Sequence, residues 1–486
     1  MNKLWILALI CLIQISSLQF NNISAQEVWS LEKCVKYAQD NNLSCQQSKI
    51  GIDQAEINYK SNKAQRYPTL NYSSSGGYQW GRTIDYGTNA FVNQSTNFNS
   101  HSLQTGVTLY NGGNINNSIK KAGLDLMASS KDAQQTAENI ALTVSSQYLS
   151  ILLSMEAVEM AKKRIEISKK QLDQTDKLIN AGNLPKNERL NILATVARDE
   201  ENLLTQENNL ALAYFDLKSL LNLDASTDIQ IQKPNTTQLL IDNQLLTDIG
   251  KLYQESSQRN PGIAASELRM NSSEVEKKIA GTTGLPSLSL FGSVQSNYSS
   301  SLRDVLHPDF TNAKEVLSPA QKVNFNGTDV FISTYTYNGI VYPTKSIGDQ
   351  LSDNLGQSLG LSLRVPIYNG SITRYNKQRA ELAIKTAQLN NTQLKQQLKN
   401  DIYRAVTDYK SARQRVEVAN REYEAAEGSF VNVQKKYDVG AANSLELVTA
   451  KSNADSSEDN LLTARYSLLF RTKVLEFYLG QPIQLN

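Results

Sequence analysis

The stretch Leu109–Gly113 reads LYNGG, and Ile367–Ser371 reads IYNGS. The shared Tyr-Asn-Gly stands at Tyr110, Asn111 and Gly112 and again at Tyr368, Asn369 and Gly370, an offset of 258 (368 less 110). Carried on without a gap, that offset sets KLINAG (Lys177–Gly182) on KKYDVG (Lys435–Gly440), and Glu188 on Glu446. The apolar phase repeats as well. Val144, Ile151, Val158, Ile165, Leu172 and Ile179 recur at sevens, and their counterparts are Ile402, Tyr409, Val416, Tyr423, Phe430 and Tyr437. Downstream, Val196, Leu203, Leu210 and Leu217 map onto Ala454, Leu461, Leu468 and Leu475. The tripeptide is therefore the corner of an internal duplication, and the sustained heptads predict left-handed supercoiling against neighbouring helices.

From Asn114 to Asn180 there is no proline. A helix over that span would be roughly 100 Å long at 1.5 Å per residue. Each such rod turns back at a glycine, Gly182 or Gly440, as an αα-hairpin. AGNLPKNE (Ala181–Glu188) carries Pro185 near the next first turn, and NSLE (Asn443–Glu446) reads as a capping box.

Upstream of each YNG the period falls from seven to two. Leu70, Tyr72, Tyr78 and Trp80 alternate with Asn71, Ser73, Ser75 and Gln79, and Leu103, Thr105, Val107 and Leu109 with Gln104 and Thr108. In the second half Leu288, Leu290 and Val294 oppose Ser287, Ser289 and Ser293, with Phe291 as an exception; Leu359, Leu361, Leu363, Val365 and Ile367 oppose Ser358, Ser362 and Arg364. Strands with one apolar and one polar face suit the wall of a transmembrane β-barrel, with lipid outside and water inside. The predicted lipid-facing positions are Leu70, Tyr72, Leu103, Val107, Leu288, Leu290, Leu361 and Leu363, with Tyr78, Trp80 and Tyr298 suited to an aromatic girdle. A soluble sandwich alternates in the same way, but the sequence offers no further strands for a second sheet. Four strands cannot close alone, because membrane barrels begin at about eight and open edges are not tolerated in lipid. Two chains would give eight strands and an interior filled by side chains, whereas three give twelve and room for a channel, which favours three.

The boundaries follow. Lys3, the apolar run Leu4–Ile13 and the ISA ending at Ala25 predict a signal peptide over 1–25. The first repeat is 26–223, with strands about 68–80 and 102–110 and its hairpin tip at Gly182; 224–246 is an equatorial linker. The second repeat is 247–486, with strands about 286–298 and 358–367, its tip at Gly440, and an exposed loop enlarged by 40 residues (82 from Pro286 to Tyr368 against 42 from Pro68 to Tyr110). The fold class is thus α plus transmembrane β.

The formal net charge of +2 gives no reason to expect nucleic acid. Cys34 and Cys45 on one unbroken helix would lie roughly 16 Å apart, too far to bridge. A turn at Asp40–Asn42 could bring them together, so a disulfide stays open. His101 and His307 lie far from the cysteines and from each other, and there is no phosphate loop, nucleophile elbow or zinc spacing. No enzyme, cofactor or metal is expected.

The signal peptide, the duplicated strand and helix hairpins, YNGG at the strand-to-helix corner and the KYDVG...SLELV turn together resemble the TolC family of outer-membrane efflux proteins. The resemblance implies a homotrimer, a 12-stranded barrel in outer-membrane lipid, and a long α-helical tunnel across the periplasm. It implies a periplasmic adaptor and an inner-membrane transporter as partners, in efflux or type I secretion. It also implies a gate at the hairpin tips built on Gly182, Glu188, Tyr437, Gly440 and Glu446, with Tyr437 latched to Glu188. Two positions depart from the family: Ala442 stands where a latch arginine would be, and Thr449 where a second acidic ring can occur. The rival reading is a trimeric structural or adhesive outer-membrane protein with a non-conducting stalk.

Overall fold

A computed structural model describes residues 28–85, 90–233 and 249–480. The expected signal peptide at 1–25 and most of the linker 224–246, from 234 on, lie outside them. In chain order the elements begin with β1 (Val28–Trp29), helices Leu31–Asn41 and Leu43–Ala64, β2 (Thr69–Asp85) and β3 (Ala90–Asn111). The first rod (Asn114–Asn180) and first return helix (Glu188–Leu221) follow, then β4 (Gln230–Ile231), helices Ile249–Arg259 and Pro261–Thr282, and β5 (Ser287–Ser299). Next come β6 (Lys314–Leu317), β7 (Gln321–Phe325), β8 (Thr328–Ile332), β9 (Tyr335–Asn338), helix Ile347–Asp353 and β10 (Gly356–Arg364). The second rod (Ile372–Asp438) and second return helix (Ser444–Tyr478) close the chain.

Both rods have 67 residues, and both their ends lie 258 apart (372 less 114, 438 less 180). Left-handed backbone recurs at the same spacing: Gly112 with Gly370, Gly113 with Ser371, Gly182 with Gly440, and Asn222 with Gly480. Ahead of the enlarged loop the spacing is 218 (249 less 31, 261 less 43), and the difference is the 40-residue insertion. At Gly112 the turn leaves no room for a side chain, since a Cβ would sit 2.7 Å from Leu285 Cβ at φ +66°.

The chain divides into two compact units, Met1–Glu56 with Leu124–Asn271 and Ile384–Asn486, and Ile57–Gly123 with Ser272–Ala383. The first is helical. Trp29, Leu31, Cys34, Val144, Tyr148, Ile151, Leu152, Leu217, Leu221 and Leu469 form its largest core. The predicted heptad positions point inward: Val144, Ile151 and Ile402 are fully buried and Tyr409 nearly so. Part of the first rod is apolar enough to cross a membrane by composition alone, but its side chains enter this core. β1 and β4 pair in parallel, and the buried Tyr148 hydroxyl reaches the carbonyls of Trp29 at 3.2 Å and Gln232 at 2.7 Å. The helix breaks at Asn42, within the predicted turn, and Cys34 and Cys45 are buried, unlinked thiols.

The second unit holds an antiparallel four-stranded sheet in the order β10-β5-β3-β2, so β2 and β10 are its edges. β2 and β3 run beyond the expected 80 and 102, taking up much of what reads as a connecting loop. β5 stops at Ser299 opposite Phe98, so from Tyr78 onward β2 and β3 continue as a two-stranded ribbon. The 358–367 strand instead ends at Arg364, because Pro366 cannot supply a ladder N–H. The enlarged loop forms two further hairpin pairings, β6 with β9 and β7 with β8. Buried Gln350 ties it to the sheet, donating to the Ser299 and Lys345 carbonyls at 3.0 and 2.8 Å and accepting from Ser299 N at 2.9 Å.

Candidate functional site

The register places all eight predicted wall positions on one face. Leu363 lies beside Leu288, Leu361 beside Leu290 and Val107, Leu103 beside Val294 and Tyr72, and Leu70 on the same face beside Thr105. The opposite face is built largely from Ser, Asn, Gln and Thr. Phe291 breaks that pattern for a steric reason: its neighbours are Gly106 and Gly360, and its ring fills the space a Gly360 Cβ would need, 2.8 Å away. Tyr78 and Trp80 stack with centroids 6.2 Å apart, just past the end of β5.

Both hairpin turns close alike. Gly182 (φ +77°) donates to Ile179 O and Asn183 to Leu178 O; Gly440 (φ +73°) donates to Tyr437 O and Ala441 to Lys436 O. These are Schellman closures, which need a left-handed residue and therefore favour glycine. Asn443 caps the second return helix, accepting from Glu446 N at 2.9 Å as the NSLE motif predicts, while Glu446 Oε1 accepts at 3.2 Å from the Asn443 side-chain amide rather than from its backbone N–H.

Within the chain the expected Tyr437–Glu188 bond is not made. Glu188 Oε2 instead accepts from Ser444 N at 2.9 Å, so the acid opening the first return helix caps the second, whose dipole favours a carboxylate there. Asn191 Nδ2 donates to Ser444 Oγ at 2.8 Å. The Tyr437 hydroxyl pairs at 2.9 Å with Thr175 Oγ1; since that hydroxyl already donates to Gln171 O at 2.8 Å, tyrosine is the donor. Burial raises the Tyr437 pKa above the ordinary phenol value. Tyr437 packs with Ile192, Ala442 and Leu447, and with Leu172, Leu178, Leu184 and Phe430 around them, so Ala442 serves the apolar core of the tip.

A second feature escaped the sequence reading. Arg164 of the first rod, 9% exposed at its side chain, meets Asp455 at 3.3 Å, Glu458 at 3.1 Å and Asp459 at 2.9 Å, and donates to Asp455 O at 2.8 Å. Lys451, 4% exposed, bridges Asp199 of the first return helix at 3.0 Å and Asp455 at 2.8 Å. Burial opposes the Arg164 charge, but the hydrogen bond and field of Asp459 and the charge of Asp455 outweigh it and raise its pKa. Two buried cations thus tie the first hairpin to the second return helix. The signal was legible: Asp455, Glu458 and Asp459 share one helical face, and carboxylates gathered on one face call for a cation.

The family model for outer membrane efflux proteins matches residues 35–223 and 252–481. The chain is similar to the outer membrane protein TolC of Escherichia coli (strain K12), with 20% identity over 213 residues, and to that of Salmonella enteritidis, with 23% over 171. These alignments span less than half of this chain and of each TolC, at 43% and 35%. Among solved structures it resembles CusC (TM-score 0.72, 15% identity, 96% of each chain) and the Campylobacter jejuni CmeC outer membrane channel (TM-score 0.69, 16% identity, 94% of this chain and 86% of that one). With the family model matched along most of its length, the chain belongs to the outer membrane efflux protein family and is a protein of the bacterial outer membrane.

Proposed function

We propose that this chain is the passive exit duct of a tripartite efflux or type I secretion system. The observation that carries the reading is the sheet: four strands, one continuous apolar face, and unpaired edges at β2 and β10. An open edge in lipid leaves backbone groups without partners, so copies of the chain pair edge to edge, and three copies give a 12-stranded barrel wide enough to conduct. Leu70, Tyr72, Leu103, Val107, Leu288, Leu290, Leu361 and Leu363 face lipid, and the serine-rich face lines the lumen. The helical hairpins continue the duct through the periplasm as two duplicated units per chain, a reading supported by the matched rods and their shared 258 spacing.

Gly182, Glu188, Tyr437, Gly440 and Glu446 form the periplasmic mouth. Glu188 and Glu446 supply six carboxylates per trimer, which favour cations at the entrance. A periplasmic adaptor engages the hairpin tips, and an inner-membrane transporter supplies the energy. The testing experiment is planar-bilayer recording of the purified protein. Discrete, cation-selective conductance steps are expected; a folded trimer that leaves the bilayer silent would favour the non-conducting stalk.

A further inference from the structure

Where all four strands lie side by side, over 69–77 of β2, 98–111 of β3 and the whole of β5 and β10, they carry a single Lys, Arg, Asp or Glu side chain, that of Arg364. The register fixes its face. Arg364 lies opposite Ser287 and shares its side of β10 with Ser358 and Ser362, while Leu361 and Leu363 take the other side. Across β5, β3 and β2 the arginine's side continues through Ser293, Gln104 and Asn71, each opposite the next. The one charge of the sheet therefore stands on its polar face.

Nothing of opposite sign is placed to meet it. The stretches 57–84, 86–124, 277–303 and 354–380, which hold these strands and their joints to the helices, contain no aspartate or glutamate. Arg364 is exposed, and among the described residues its guanidinium makes no ion pair and no hydrogen bond. In the proposed trimer the next copy lays β2 beside β10, and the one acid of β2 is Asp85, at the end remote from Arg364. A carboxylate beside Arg364 would cancel its field, and the sequence keeps carboxylates away from that whole wall.

We propose that Arg364 is a charge filter of the barrel. Three copies form a ring of guanidinium groups around the lumen, which favours anionic cargo such as carboxylates, sulfonates and phosphates and retards cations. This rests on the proposed trimeric duct. A guanidinium is never deprotonated in a protein, so the ring keeps its charge at every working pH. The carboxylates of the mouth favour cations, so the duct carries opposite charges in series, and Arg364 holds down the cation preference that the mouth sets.

The test reads the field at the wall itself, in the full-length trimer. Ser362→Cys puts a thiol on the arginine's face, two residues and roughly 7 Å away. Cys34 and Cys45 are buried, and the reaction of the unsubstituted protein is subtracted. The rates of a sulfonate-bearing methanethiosulfonate and of its trimethylammonium analogue are compared with and without Arg364→Gln. Neutralising the arginine should lower the sulfonate-to-ammonium rate ratio about five-fold at 10 mM salt, and hardly at all at 1 M, where the screening length is about 3 Å. In planar bilayers Arg364→Glu should raise the potassium-to-chloride permeability ratio about two-fold.

A rate ratio that Arg364→Gln leaves unchanged at 10 mM salt overturns the placement of the charge on the lumen wall, as does a thiol that neither reagent reaches. A permeability ratio that Arg364→Glu leaves unchanged overturns the filter. Wild-type trimer that is silent in bilayers overturns the duct reading instead.

Discussion

Lys451→Met tests whether the buried ions hold the two hairpins together. Lys451 is 4% exposed at its side chain and serves two carboxylates, Asp199 at 3.0 Å and Asp455 at 2.8 Å. Asp455 keeps Arg164 when the lysine is removed, but Asp199, 11% exposed, keeps no ionic partner. An orphaned buried charge costs about 3–5 kcal/mol. Because water still reaches Asp199 at one edge, the lower end of that range, about 3 kcal/mol, is expected. Asp199→Asn alone leaves Lys451 paired with Asp455 and should cost about 1–2 kcal/mol. The double variant should be more stable than Lys451→Met alone by roughly 1–3 kcal/mol, because the neutral amide removes the orphan. Guanidinium unfolding in detergent, followed by helical circular dichroism, reads these differences as midpoint shifts at constant slope. Costs that add, or a Lys451→Met loss below about 1 kcal/mol, would refute a buried, coupled pair.

Leu361→Arg on the apolar face should cost roughly 2–4 kcal/mol near mid-bilayer and deplete assembled protein, while Ser362→Arg on the opposite face is tolerated; equal depletion would mean the facing is wrong. Tyr437→Phe removes a neutral hydrogen bond to Thr175 and should cost about 0.5–1.5 kcal/mol, with a matching rise in open probability in bilayers; an unchanged gate would assign the mouth to apolar packing alone. Burial pushes the Cys34 thiol from its ordinary 9.0 up to about 12. A raised thiol pKa favours the folded chain below pH 9 and loses that advantage as pH climbs toward 12, so Cys34 should resist iodoacetamide at pH 8 in the folded protein and react on unfolding. Rapid labelling of folded protein at pH 8 would contradict that burial.

The long-range pattern was the legible part. Heptads fixed by Val144, Ile151 and Ile402 give the rods, since a seven-residue period survives only on a helix packed along its length. The two-residue period gives the four-stranded sheet, and the 258 offset gives the hairpin turns at Gly182 and Gly440. Strand ends were less legible, because Thr83 and Val92 in the two-stranded extension face no third strand and show no strong alternation. At the tip the turn glycines and the Asn443 cap were readable from local chemistry. The partners of Glu188 and Tyr437 were not, since Ser444 and Thr175 lie 256 and 262 positions away and only packing brings them together. The Arg164–Lys451 network escaped for the same reason, although its acids were visible as one face of a helix.

The central claim is that four strands with two open edges are completed by copies of the same chain. Light scattering of the folded protein in detergent, corrected for bound detergent, tests it most directly. Three chains per particle is the predicted result, and a stable, folded monomer would contradict it.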